Sequence, residues 1–134
     1  MSTFLERFAA ATDEEGLRSG WSPAAYLEAW AAFTEDCEKG YQGNIYEYEN
    51  DISVRDVIER ALTSLGPAED AAVAVFADAV AESDARFAAV LNSGPVIRDE
   101  AVPWWRRRLP VSGGREFAAE ARQHFSVTLS PVEA

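Results

Sequence analysis

Cysteine and histidine are almost missing from this 134-residue chain: Cys37 and His124 are the only ones. A lone cysteine excludes an internal disulfide. One histidine and one cysteine also fall short of the ligand set that a zinc site needs, so no metal is expected. Basic residues are scarce, 12 against 23 acids, for a formal charge of −11. A surface of that sign repels phosphate backbones and anionic headgroups, so neither nucleic acid nor a membrane is the expected partner. No apolar run approaches the ~18 residues of a membrane helix. The richest stretch, Ala71 to Ala81, is interrupted by Asp78. The segment Met1 to Phe8 has no cationic flank leading into an apolar run, unlike a secretory signal, and a cytoplasmic protein is expected. Phosphate-cradling G-x-x-x-x-G-K-[ST], dinucleotide G-x-G-x-x-G and nucleophile-elbow G-x-S-x-G patterns are all lacking. No cofactor is expected, and no enzymatic activity.

The two scarce side chains read as structural. Glu35, Asp36 and Glu38 surround Cys37 in sequence and disfavour its thiolate, so it reads as a small buried residue rather than a nucleophile. His124 sits near the end of a short helix, where it complements the dipole more readily than it acts as a base.

What the chain does have is helical texture. Hydrophobic residues make up 48% of it, and alanines recur among larger apolar residues spaced by three and four. A first helix spans Thr3 to about Asp13 and ends before Gly16. Ser22-Pro23 reads as an N-cap with proline in the first turn, opening a helix that carries Tyr26, Trp30, Phe33 and Cys37 on one face and stops near Gly40. After the turn residues Tyr41 to Asn44, the alternation through Ile45 to Asp51 suits either a strand or a short helix. A short helix ending at Asn50-Asp51 is preferred, because a strand there lacks a partner. Ser53-Val54-Arg55-Asp56 has the form of a capping box and begins another helix, closed by Gly66-Pro67. The next helix starts near Pro67 or Ala68, with Glu69 and Asp70 in its first turn, and runs to about Asn92. A last short helix covers Arg115 to about Phe125. These elements predict one all-α domain over residues 1–125, a compact bundle of five or six helices. The Pro/Trp/Arg-rich segment from Val96 to Pro110 is extended and packed across it, and residues 126–134 form an extended, partly mobile tail.

Charge is distributed unevenly along this domain. Residues 1–97 hold 18 acids and 6 bases, whereas residues 98–134 hold 5 acids and 6 bases. The densest stretch, Glu35 to Glu59, sets eight acids against Lys39 and Arg55. Crowded like charges oppose folding, and a basic partner recruited by long-range attraction would account for them. Tyrosines stand among the acids, and a tyrosine beside carboxylates offers an interface both ring area and a hydrogen bond. The expected partner-binding residues are Glu35, Asp36, Glu38, Tyr41, Tyr46, Glu47, Tyr48, Glu49, Asp51 and Asp56. The same E-x-E-x-D run, Glu47 to Asp51, has oxygen ligands for calcium or magnesium. Its sixth position is Ile52 rather than the glycine of an EF-hand loop, and a solvated acidic edge is the preferred reading.

Trp104-Trp105-Arg106-Arg107-Arg108 is the second unusual cluster. In a chain this acidic, stacking on single-stranded nucleic acid is a poor fit. An internal strap fits better, or a second interface: if extended, Trp104, Arg106 and Arg108 point one way and Trp105, Arg107 and Leu109 the other. One tryptophan then plugs the core while arginines pair with acidic helices. Together, Tyr41-Gln42-Gly43-Asn44-Ile45-Tyr46-Glu47-Tyr48-Glu49-Asn50-Asp51 with Ile52-Ser53-Val54-Arg55-Asp56, and Trp104 through Pro110, resemble blocks of small bacterial proteins, some of the toxin–immunity kind. The resemblance attaches no activity or site residue, and it implies a binding role. The expectation is therefore an acidic, non-enzymatic protein of immunity or inhibitor type that neutralises a basic protein such as a nuclease toxin. The alternative is a structural or regulatory interaction domain, homodimeric through the tryptophans and exposed aromatics of the second helix, whose acidity serves solubility.

Overall fold

Capping chemistry fixes where the helices begin. In the computed structural model, which describes residues 3–13, 18–66 and 70–133, helix α1 (Phe4–Thr12) opens on a reciprocal capping box between Thr3 and Glu6. Helix α2 (Pro23–Glu38) is capped by the Ser22 hydroxyl, with proline in its first turn as expected. Helix α3 (Ile45–Leu65) opens on a second capping box, Asn44 with Glu47. Asp70 caps α4 (Ala71–Leu91) through the Ala72 N–H. Helix α5 (Arg115–Phe125) follows Gly114 and ends with Arg122 and His124 in its last turn, where cations suit the dipole. The fold is an all-α bundle. Its only strands among the described residues, β1 (Ser112–Gly113) and β2 (Ser130–Pro131), pair in parallel. Gly16, and Pro67, Ala68 and Glu69 of the expected α4 start, lie outside the described residues.

Helix α3 corrects the sequence reading. No break separates Ile45–Asp51 from Ser53–Leu65, because neither proline nor glycine interrupts them and Ile45, Tyr48, Ile52 and Arg55 make one unbroken buried stripe. Ser53 does not cap a helix. Its hydroxyl donates back to the Asn50 carbonyl at 2.5 Å, and the Asp56 carboxylate faces another part of the chain altogether.

Helix α2 packs along α4 and against α3, while α1 lies along α3. Trp30, Tyr26, Phe8, Phe87, Phe117, Ile52 and Ile58 are fully buried where these helices meet. Each such side chain contributes roughly 1.5–3 kcal/mol by leaving water. One charged side chain is buried in the core among the described residues. Arg55, 4% exposed, lays its guanidinium 4.3 Å over the Trp105 ring. It donates to Asp84 at 2.8 and 3.0 Å and to Glu59 at 2.9 Å. Asp84 also accepts from the Trp30 indole N–H at 2.9 Å. A buried guanidinium is tolerable here because its charge and donors are matched.

The Pro/Trp/Arg-rich segment crosses the bundle, but its centre is a single 3-10 turn, Trp104–Arg106, rather than extended chain. The expected alternation of side chains is therefore lost: Trp105 and Arg106, neighbours in sequence, both reach Asp56. The ends of the loop are tied together, Ile97 N–H to the Arg107 carbonyl at 2.8 Å and Leu109 N–H to the Pro95 carbonyl at 3.0 Å. Gly94 makes this closure possible. A Cβ at that position would lie 1.7 Å from the Leu109 carbonyl oxygen.

The C-terminal segment is likewise not the mobile tail that composition suggested. Leu129 is buried, and Val132 N–H donates to the Gly113 carbonyl at 2.7 Å. Gly114 N–H donates in turn to the Tyr41 carbonyl at 2.7 Å, so three distant stretches of chain are stitched side by side. Gly40, at φ +95°, leaves room for Val132 against it.

Candidate functional site

The acidic stretch from Glu35 to Asp56 runs down the end of α2, around the turn and into α3, and the structure divides it into three groups. Tyr41 and Tyr48 are interior residues, 5% and 2% exposed. Their rings pack edge-on to one another at 5.4 Å and against Phe33 and Phe117, and of the two only Tyr41 reaches the wall of the cleft lined by Asp36, Glu47 and Asp51. This corrects the expectation of a tyrosine-bearing face: only Tyr46, 69% exposed, stands on it, its ring set edge-on to His124 at 5.9 Å.

A second group of acids is engaged internally. Glu49 accepts from Arg98 at 3.1 Å and from Arg106 at 2.9 Å. Asp56 accepts from the Trp105 indole at 2.8 Å and pairs with Arg106. These bonds hold the Arg106 guanidinium above its ordinary pKa, the Asp56 hydrogen bond first among them. Glu49 and Asp56 therefore anchor the strap rather than face a partner. Arg107 and Arg108 spend their donors on loop carbonyls, Val102 at 2.9 Å and Gly94 at 3.0 Å respectively. Trp105 is buried, and the half-buried Trp104 packs on it and on Phe87. Trp105 is thus interior while Trp104 keeps part of its ring exposed, and Tyr26, Trp30 and Phe33 of α2 are buried as well.

The third group converges outward. Asp36, Glu47 and Asp51 line a cleft of about 370 Å³ at the end of α2, with Lys39 and Gln42 at its rim. Helical geometry puts Glu47 and Asp51 one turn apart on the same face of α3. The buried Tyr41 hydroxyl donates to Asp51 at 2.6 Å and fixes that carboxylate from below. Burial, then this bond, pushes the Tyr41 hydroxyl far above the ordinary tyrosine pKa. Glu35 and Glu38 do not line the cleft: the first pairs with Lys39 at 3.0 Å and the second with Arg86 of α4. The Arg86 hydrogen bond draws the Glu38 pKa below its usual value. Cys37 is buried behind Asp36. Desolvation, reinforced by Asp36, Asp51 and Glu38, drives its thiol pKa well up and disfavours the thiolate.

Asp36 and Asp51 also line a second hollow, a trench of about 270 Å³ between α2 and α3. Trp21 and Arg18 also line it, the Arg18 guanidinium held by the Asn50 carbonyl at 2.7 Å, next to Asp51, and by the Ser53 hydroxyl at 2.8 Å. Sequence reasoning missed this trench because its signal is small residues: Ala29 and Ala32 read as helix formers, not as the reason a gap is left.

Among the described residues, no three of His, Cys, Asp and Glu gather as a metal site would require. No helix among them is long and apolar enough to cross a membrane. Comparison of the chain with protein-family models, with curated proteins and with solved structures finds no match, and the functional reading stands on the chain's own geometry.

Proposed function

We propose that this is a non-enzymatic binding protein of immunity or inhibitor type, which neutralises a basic protein partner through the acidic face at the α2–α3 turn. The observation that carries the reading is that Asp36, Glu47 and Asp51 line one open cleft. A carboxylate cluster of this kind steers a cationic surface into register and raises its association rate. A nuclease, whose active-site cleft is built to receive phosphates, is the partner class that such carboxylates imitate. The test must spare residues with structural duties: Glu47 caps α3, and Glu49 and Asp56 hold the strap. The triple change E35Q/D36N/E38Q removes charge from the end of α2 together with the Glu35–Lys39 and Glu38–Arg86 pairs, so a native circular dichroism spectrum of the variant is part of the test. With the protein immobilised, a basic partner should be captured at low salt, released at high salt and lost with the triple variant. Capture indifferent to both salt and variant overturns the reading.

Self-association is a second reading, favoured by one observation away from the acidic face. An apolar hollow of about 410 Å³ lies where Phe4, Leu27, Val75 and Phe76 meet, and Val75 is 69% exposed. Sedimentation of wild type and Val75→Glu over a concentration series tests it. A dimer that the variant abolishes supports the reading, and a monomer throughout removes it.

A further inference from the structure

We infer that the trench between α2 and α3 seats one arginine side chain of the basic partner, with its guanidinium held between Asp36 and Asp51. The inference rests on the acidic-binder reading and names the chemistry that its central contact recognises.

Helix α2 presents Ala29, Ala32, Phe33 and Asp36 to the trench at i, i+3, i+4 and i+7, and α3 faces them with Val54 and Asp51. Ala32, Phe33 and Val54 give the trench apolar walls and Asp36 and Asp51 anionic ones, the two characters of an arginine stem and tip. Arg18, Trp21 and Asn50 complete the lining, the Arg18 guanidinium being engaged by the Asn50 carbonyl and the Ser53 hydroxyl. The size agrees. At about 270 Å³ the trench is smaller than the ~300–1,000 Å³ of a typical small-molecule pocket, and it suits a single side chain.

The two carboxylates are prepared differently for the same cation. Asp51 is half-buried and already oriented by the Tyr41 hydroxyl at 2.6 Å, so little ordering remains to be done on binding. Asp36 is exposed and has no hydrogen-bond or ion-pair partner among the described residues. It is the free half of the pair. A planar guanidinium can bond both carboxylates at once while its stem covers Ala32 and Val54; a compact ammonium engages them less completely.

Nuclear magnetic resonance titration with a capped pentapeptide, one arginine flanked by alanines, tests this directly. Its citrulline counterpart keeps the shape and removes the charge. The expected result is a shift confined to the amides of Ala29, Ala32, Phe33 and Val54, absent with citrulline and about tenfold weaker in Asp36→Asn. Ala32→Leu should abolish the shift as well. It fills the trench without altering net charge, so general attraction to an acidic surface predicts no effect from it. Asp78→Asn, an exposed acid on α4, serves as the control and should bind as wild type. Shifts scattered over the acidic surface, unchanged affinity in Ala32→Leu with a native spectrum, or no shift at all overturns the inference. If the immobilised protein still captures a basic partner in a salt-dependent way, that failure removes the trench alone. If capture also fails, the acidic-binder reading goes with it.

Discussion

Raising the pH should destabilise this protein from the inside, through groups buried in its core. Cys37, Tyr41 and Tyr48 are buried together, and their protons are held well above the ordinary values of 9.0 for the thiol and 10.0 for the phenols. Burial is the first cause for all three. Because the folded chain binds these protons more tightly than the unfolded chain, their contribution is complete below about pH 9. As pH rises beyond it, the unfolded state ionises first and stability falls. Each group contributes a slope of ~1.4 kcal/mol per pH unit once its unfolded form is deprotonated. The thiol and both phenols act in the same direction, so their losses add as the pH rises. Urea midpoints followed by tryptophan fluorescence at about pH 8, 10 and 11 measure it. Tyr48→Phe isolates one group. The Tyr48 hydroxyl has no hydrogen-bond partner among the described residues, so its removal should raise stability at pH 8 by about 1 kcal/mol. It should also make the fall in stability between pH 10 and 11 shallower than in wild type. If the variant loses stability with pH as steeply as wild type there, the coupling of burial to protonation described for this core is wrong.

Three further changes test the supports of the site. Arg55→Ala leaves Asp84 and the Trp105 face without their cation, and a cost of about 3–5 kcal/mol is expected from equilibrium denaturation. Arg106→Ala breaks the strap's bonds to Asp56 and Glu49; a loss of about 2–3 kcal/mol is expected, with faster hydrogen exchange across residues 95–109. Gly94→Ala places a methyl against the Leu109 carbonyl, an overlap the backbone must move to relieve. A loss of at least about 3 kcal/mol, read from the thermal midpoint, is the expected outcome.

The helices with one unbroken apolar stripe, α2 and α4, were legible in the sequence because their period and their caps agree. Helix α3 was not. Two N-terminal signatures compete within it, Asn44-x-x-Glu47 and Ser53-x-x-Asp56, and only the first has its side chains free to cap. Arg106 and Trp105 claim Asp56, a contact 49 to 50 residues away that no local pattern reveals. The acidic surface was overread for a related reason. A carboxylate in sequence is equally a partner for solvent, for a distant arginine or for a helix N-terminus, and tertiary packing alone assigns it. Tyr41 and Tyr48 look like interface anchors from their neighbours, yet they fill the space between Phe33 and Phe117. The trench was the least legible feature, since a hollow is made by side chains that are small rather than by ones that announce a chemistry.

Lys39 is the only lysine in the chain. It stands at the rim of the acidic cleft with a side chain 72% exposed. An amine-reactive fluorophore will therefore meet one side-chain target, and that target overlooks the face on which docking is proposed. A dye placed there reports the approach of any cation by the change in its own surroundings, and a lysine-directed crosslinker would record the identity of whatever arrives.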